Sequence, residues 1–198
     1  MAPGRYALRG MHIDPSFAPL VTERLRLRRS VPDDAAAISA YRSDPDVRRY
    51  QGWGDTGPEE VRTAIEEMTT RAPGEPGGWV QLSVEERSTG RLIGDVGISP
   101  ADDDPGVIKI GYTIAPEFQR AGYATEAVRA LIDYAFDTLG VDVVRAYASA
   151  ENAPSIRLAE RVGLRLMERF DGVDDGVRWS GVRYELRRED RDATPEAT

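Results

Sequence analysis

The residues best suited to chemistry are Gln119, Arg120, Ala121, Gly122, Tyr123, Ala124 and Thr125, a polar stretch between the apolar run Val107 to Ile114 and a long amphipathic segment. A helix starting there leaves backbone N–H groups without intrahelical acceptors, and its dipole adds roughly half a positive charge. Phosphate fits such a place. Gly122 lets the turn or a ligand approach closely, because it has no side chain and accepts positive φ, and Arg120 adds a planar cation.

The common nucleotide loops do not fit. A P-loop needs a lysine after its glycines, and Lys109 is the only lysine; a dinucleotide fingerprint needs three glycines, and this stretch has one. With no cysteine, disulfides, thiolate metal sites and an acyl-cysteine intermediate are excluded. The one histidine, His12, lies near the N-terminus, so acid–base work falls to Asp, Glu, Ser, Tyr or water and no metal is expected. A net charge of −8, from 34 acids and 26 bases, argues against a nucleic-acid binder. No apolar run approaches the roughly 18 residues of a membrane span, and no signal-peptide core opens the chain, so no membrane contact and a cytoplasmic location are expected.

Several elements must hold the loop in place. Ala124, Ala127, Val128, Leu131, Ile132, Ala135, Phe136 and Leu139 keep the rhythm of one buried helix face, and Gly140 supplies the stop. Strands are expected at Arg24 to Arg28, Trp79 to Glu85, Leu92 to Ser99, Val107 to Ile114, Val143 to Ser149, Leu164 to Asp171 and Val177 to Arg187, the last two paired across a Gly172 to Gly176 turn. Helices are expected over Pro32 to Arg42, from Pro58, after Gly122, and from Ala153 to a left-handed stop at Gly163. Asp102, Asp103 and Asp104 form an acidic turn, either simply solvated or able to attract a cationic acceptor.

Together these give an α+β fold with a mixed, mostly antiparallel sheet of about seven strands and about four helices. One domain over residues 21–188 is expected, with a loose arm at 1–20 and a disordered tail at 189–198.

Gln119-Arg-Ala-Gly122-Tyr-Ala124 resembles the Q/R-x-x-G-x-G/A pyrophosphate motif of the GCN5-related N-acetyltransferases. The extension QRAGYATEA, with the block Asn152-Ala-Pro-Ser155 through Glu160-Arg-Val-Gly163-Leu164, is similar to the branch named after the ribosomal-protein alanine acetyltransferases. The resemblance spans about Thr22 to Arg188. It implies direct acetyl transfer from acetyl-CoA to a primary amine: a protein N-terminus, a small amine or amino acid, or an aminoglycoside. It also implies a sheet split in the middle, with the pantetheine arm hydrogen-bonded to the backbone of Tyr112, Thr113 and Ile114, and the pyrophosphate on the N–H groups of Gln119 through Thr125. Homodimers occur in the family, so one is possible here.

By the same resemblance Asn152 contacts the pantetheine, a role compatible with helix N-capping. Ser155 is the candidate hydrogen-bond donor to the leaving thiolate, because the tyrosine that many relatives carry seven residues after the asparagine is Ala159 here. Lys109 stands where relatives often place an acid, leaving Asp95, Asp171, Asp174 or Asp175 as candidate bases. Tyr50, Trp53 and Asp55 are the candidate acceptor wall, the alternative being a surface loop with pinned aromatics. Ala159 and Lys109 also motivate a second reading, an acyl-CoA-binding module without turnover.

Overall fold

A computed structural model describes residues 10–51, 57–174 and 177–191. In chain order these form β1 (Leu20–Val21), β2 (Leu25–Arg29), α1 (Ala35–Arg42), α2 (Pro45–Arg48), α3 (Pro58–Thr69), β3 (Val80–Glu86), β4 (Leu92–Pro100) and β5 (Val107–Ile114). Then come α4 (Tyr123–Asp137), β6 (Val143–Ser149), α5 (Ala153–Arg161), β7 (Arg165–Asp174), β8 (Val177–Arg187) and α6 (Arg188–Arg191). The sheet order is β1-β2-β3-β4-β5-β6-β8-β7, with β5 and β6 parallel and every other pair antiparallel.

The expected architecture is present with one more strand, β1, and two more short helices, α2 and α6. Two residues of strand and four of helix carry too little periodicity to be read from sequence. Gly172 pairs with Trp179 inside the β7–β8 ladder, so the closing turn is tighter than the expected Gly172 to Gly176.

The β5–β6 ladder runs only from Val107↔Val143 to Ile110↔Ala146. Beyond it β5 continues to Ile114 along β4, and β6 continues to Ser149 along β8. The sheet therefore opens between Gly111–Ile114 and Tyr147–Ser149, the implied split.

Two layers close the sheet. Ala127, Val128, Leu131, Ile132, Ala135 and Phe136 of α4 pack with Leu25, Leu27, Val84, Val96, Ile108 and Val144 in the main core. Side chains of this size contribute about 2 kcal/mol each when fully buried. On the other face Ile38 and Tyr41 of α1 meet Val61 and Ile65 of α3. Gly140 and Gly163 take φ of 74° and 93°, the left-handed geometry that ends each helix.

The segment expected as a loose arm lies against α4 from Met11 onward. His12 N–H donates to the Leu139 carbonyl at 2.7 Å, Tyr134 hydroxyl donates to Asp14 at 2.8 Å, and Phe17 packs edge-on to Tyr134 at 5.4 Å. Tyr134 is thereby buried outside the expected apolar stripe. At the other end, where a disordered tail was expected from residue 189, Arg191 of α6 pairs with Asp137 and Asp133 of α4.

Candidate functional site

The loop leaves β5 through a tight turn at Pro116–Phe118, and Gln119 Nε2 donates to the Ile114 carbonyl at 3.0 Å, tying loop to strand. Arg120 and Gly122 both take positive φ, 63° and 83°. Such a conformation at arginine costs of order 1 kcal/mol and is typical of binding turns. The first α4 bond runs from Glu126 N–H to the Gly122 carbonyl at 3.1 Å, so the N–H groups of Tyr123, Ala124 and Thr125 open the helix without an intrahelical acceptor. Gln119 N–H is already given to the Pro116 carbonyl, which narrows the expected donor set to Arg120 through Thr125.

Arg24 completes this corner. Its guanidinium pairs with Glu126 at 2.7 Å, donates to the Ala121 carbonyl at 2.9 Å and lies 4.4 Å above the Tyr123 ring. Burial alone would raise the Glu126 carboxyl, but hydrogen bonds from Thr22 and Arg24 outweigh it and hold the group below its ordinary value. In sequence Arg24 is one of several alternating arginines, and nothing local separates it from its neighbours. A groove of about 950 Å3 begins at Gly122 and Thr125 and follows the outer side of α4, bounded by Arg24, Arg129 and Arg161.

At the split, Tyr112 and Thr113 point to opposite faces of β5, as neighbouring strand residues must. On the α5 side Tyr112 hydroxyl is 2.7 Å from Ser155 Oγ, while Asn152 Oδ1 accepts from Ser155 N–H at 3.2 Å as the α5 cap. On the α1 side Thr113 lies opposite Asp95 of β4, and Gln51 Nε2 reaches Thr113 Oγ1 at 3.5 Å. Asp95 is 1% exposed and accepts from Tyr41 hydroxyl, Gln81 Nε2 and, at 3.2 Å, Arg42 Nη2. Burial and the neighbouring Asp95 charge push the Tyr41 phenol well above its ordinary value. A carboxylate so occupied fits a positioning role better than the expected base role.

The other expected residues scatter. Tyr50 is half-buried under the Arg49 guanidinium, 5.3 Å from its ring, whereas Trp53 and Asp55 lie outside the described residues, as does Asp175. Asp171 accepts from Ser180 hydroxyl. Asp174 pairs through its backbone with Val177 at the hairpin end; β6 stops at Ser149 opposite Gly181, so that end projects roughly 13 Å further.

The acidic turn has partners: Asp102 meets Lys109 at 3.1 Å, Asp103 meets Arg145 at 3.0 Å, and Asp104 accepts from Gly106 N–H. That occupation disfavours the cation-attracting reading. Trp79 was read only as a strand start, yet its half-exposed ring lies over Gly97 and Gly111, where added Cβ atoms would meet it at 3.0 and 3.6 Å. Two lone glycines within strands were the available signal for such close approach.

Residues 24–165 match the acetyltransferase (GNAT) domain family. The chain is 34% identical over 140 residues to the uncharacterized N-acetyltransferase p20 of Bacillus licheniformis, covering 70% of this chain and 78% of the relative. It is 34% identical over 151 residues to the uncharacterized N-acetyltransferase YoaA of Bacillus subtilis, covering 75% and 84%. The crystal structure of the acetyltransferase (GNAT family) from Bacillus anthracis shares the fold with a TM-score of 0.77 at 24% identity, over 87% of this chain and 99% of that one. The family match over residues 24–165 and the identity to these relatives place the chain, with its split sheet and left-handed loop at a helix start, among the GCN5-related acetyltransferases, acyltransferases that use acetyl-CoA.

Proposed function

We propose that the protein transfers acetyl from acetyl-CoA to the primary amine of an acceptor that approaches from the α1 side of the split, the acceptor being a protein N-terminus, a small amine or amino acid, or an aminoglycoside. The single observation that carries this reading is the early end of the β5–β6 ladder at Ile110↔Ala146 beside the left-handed loop. It leaves the strand edge at Tyr112, Thr113 and Ile114 for the pantetheine arm and helix-start N–H groups for the pyrophosphate. The Ile114 carbonyl is held by Gln119, and Thr113 turns its backbone groups toward Asp95 of β4, so Tyr112 and the Ile114 N–H supply the open edge. The groove past Gly122 suits the nucleotide end in size, and its lining mixes Arg24, Arg129 and Arg161 with Glu23, Glu126, Asp133 and Asp137.

On this reading Asn152 and Ser155 meet the cosubstrate from the α5 side, and Asp95 braces the acceptor wall from the α1 side through Tyr41, Arg42 and Gln81. Asp171, Asp174 and Asp175 are the remaining candidates for taking the ammonium proton, directly or through water. Tyr50, Trp53 and Asp55 belong to the acceptor wall. Thermal denaturation with acetyl-CoA, CoA and NAD tests the site, followed by an amine panel read as thiol release, which a chain without cysteine reports free of background. Stabilisation by the two CoA species and turnover of an amine are the expected results. Stabilisation without turnover of any amine would favour the acyl-CoA-binding module, and no stabilisation would remove both.

A further inference from the structure

The Tyr112 hydroxyl has two partners on one residue: Ser155 Oγ at 2.7 Å and the Ser155 carbonyl oxygen at 3.1 Å. A carbonyl only accepts, whereas two hydroxyls can each donate or accept. When Tyr112 donates to the carbonyl, the Ser155 proton is drawn toward the phenol oxygen. When Tyr112 donates to Ser155 Oγ, that proton is released to point elsewhere. Rotation about two C–O bonds converts one state into the other.

The surroundings favour this pairing. Tyr112 lies in the unpaired half of β5, and its ring packs against the main core, which includes the buried Ala159. Ser155 is held at the start of α5 by the Asn152 cap.

We infer that Tyr112 is a positioning residue for departure of the thiolate, turning the Ser155 O–H onto the CoA sulfur. The amine nitrogen bonds to the acetyl carbon, the C–S bond breaks, and its electron pair passes to sulfur. Ser155 donates a hydrogen bond to that sulfur while Tyr112 donates to Ser155. Tyr112 keeps its proton, since burial holds the phenol above its ordinary value despite the Ser155 hydrogen bond. The proton lost by the amine goes to water, and the thiolate takes one from water on release. The inference rests on the split as the site of the pantetheine arm.

The test uses bound CoA and needs no acceptor. The protein has no cysteine, so the only thiol in the complex belongs to the ligand. Its titration is followed by ultraviolet absorbance of the thiolate, with the complex of S-methyl-CoA subtracting the tyrosines. In the parent the bound thiol should titrate about one unit below the thiol of free CoA measured alongside. Tyr112→Phe should return most of that shift and Ser155→Ala all of it, and the double variant should match Ser155→Ala because Tyr112 acts through Ser155. Ser155→Thr, which keeps the hydroxyl, should retain the shift. An unshifted thiol in a parent that binds CoA, a Tyr112→Phe titration identical to the parent, or additive effects would each overturn the inference. A parent not stabilised by CoA would instead overturn the reading of the split itself.

Discussion

The anion loop and the Asp95 cluster are both polar and lie one strand apart, yet they are built in opposite ways. The loop is seven consecutive residues that offer backbone N–H groups from Arg120 through Thr125, displayed by two left-handed residues and a helix start. The Asp95 cluster takes Tyr41 and Arg42 from α1, Gln81 from β3 and Asp95 from β4, all as side chains. A backbone site needs only local conformation and stays open to solvent. A side-chain site needs tertiary register, and here Asp95 accepts from Tyr41, Arg42 and Gln81. The first is suited to binding an anion and the second to holding a wall in place.

Charge inserted into the open site should have the largest effect. Gly122→Glu places a carboxylate where phosphate is expected, and like charges cost several kcal/mol, so affinity for CoA should fall about 100-fold or more by calorimetry. Gly122→Ala carries the same backbone strain at φ 83° without the charge and should lose far less. Equal losses would mean that loop shape alone matters.

Breaking the side-chain site should cost stability. Asp95→Asn removes the carboxylate facing Arg42 and should destabilise by about 3 kcal/mol in urea unfolding. If Asp95 only positions, kcat falls while the pH–rate profile keeps its shape. Loss of the lower limb of that profile would make Asp95 the base, and the same loss in Asp174→Asn would give the role to the hairpin.

Acid should weaken another buried pair on the Asp95 side of the sheet, Arg28 with Asp34. Burial raises the Asp34 carboxyl, but hydrogen bonds from Arg28, Val31 N–H and Ser83 outweigh it and leave the group below its ordinary 3.8. Protons therefore bind the unfolded chain more readily. The stabilisation is fully present above about pH 4 and is lost as pH falls through the lower folded value. Asp34→Asn should flatten that acid limb of a stability–pH curve.

The smallest change is expected at Arg24, which braces the loop from outside. Arg24→Ala should weaken acetyl-CoA binding about fivefold with kcat unchanged, the scale of one ordinary hydrogen bond lost at a partly exposed position. A change in kcat would mean that the brace extends to the split.

The loop, the long helix with its stops at Gly140 and Gly163, and most strands were legible because each follows from a local period or a residue with special backbone freedom. The site's long-range members were not. Arg24 meets Glu126 across roughly a hundred residues of chain, Gln51 reaches Thr113 from another layer, and Trp79 covers glycines on two other strands. The acidic turn is solvated, one of its two expected readings, and its partners Lys109 and Arg145 stand on two strands brought side by side by the parallel ladder.

By itself the sequence determined which segments become strands and helices and where an anion could rest, because those depend on periodicity, glycine and helix starts. Tertiary structure alone decided where the β5–β6 ladder ends, that residues 11–21 cover α4, and that Asp95 is enclosed while Ser155 faces Tyr112. Those outcomes depend on register, which is set by core packing between residues far apart in the chain.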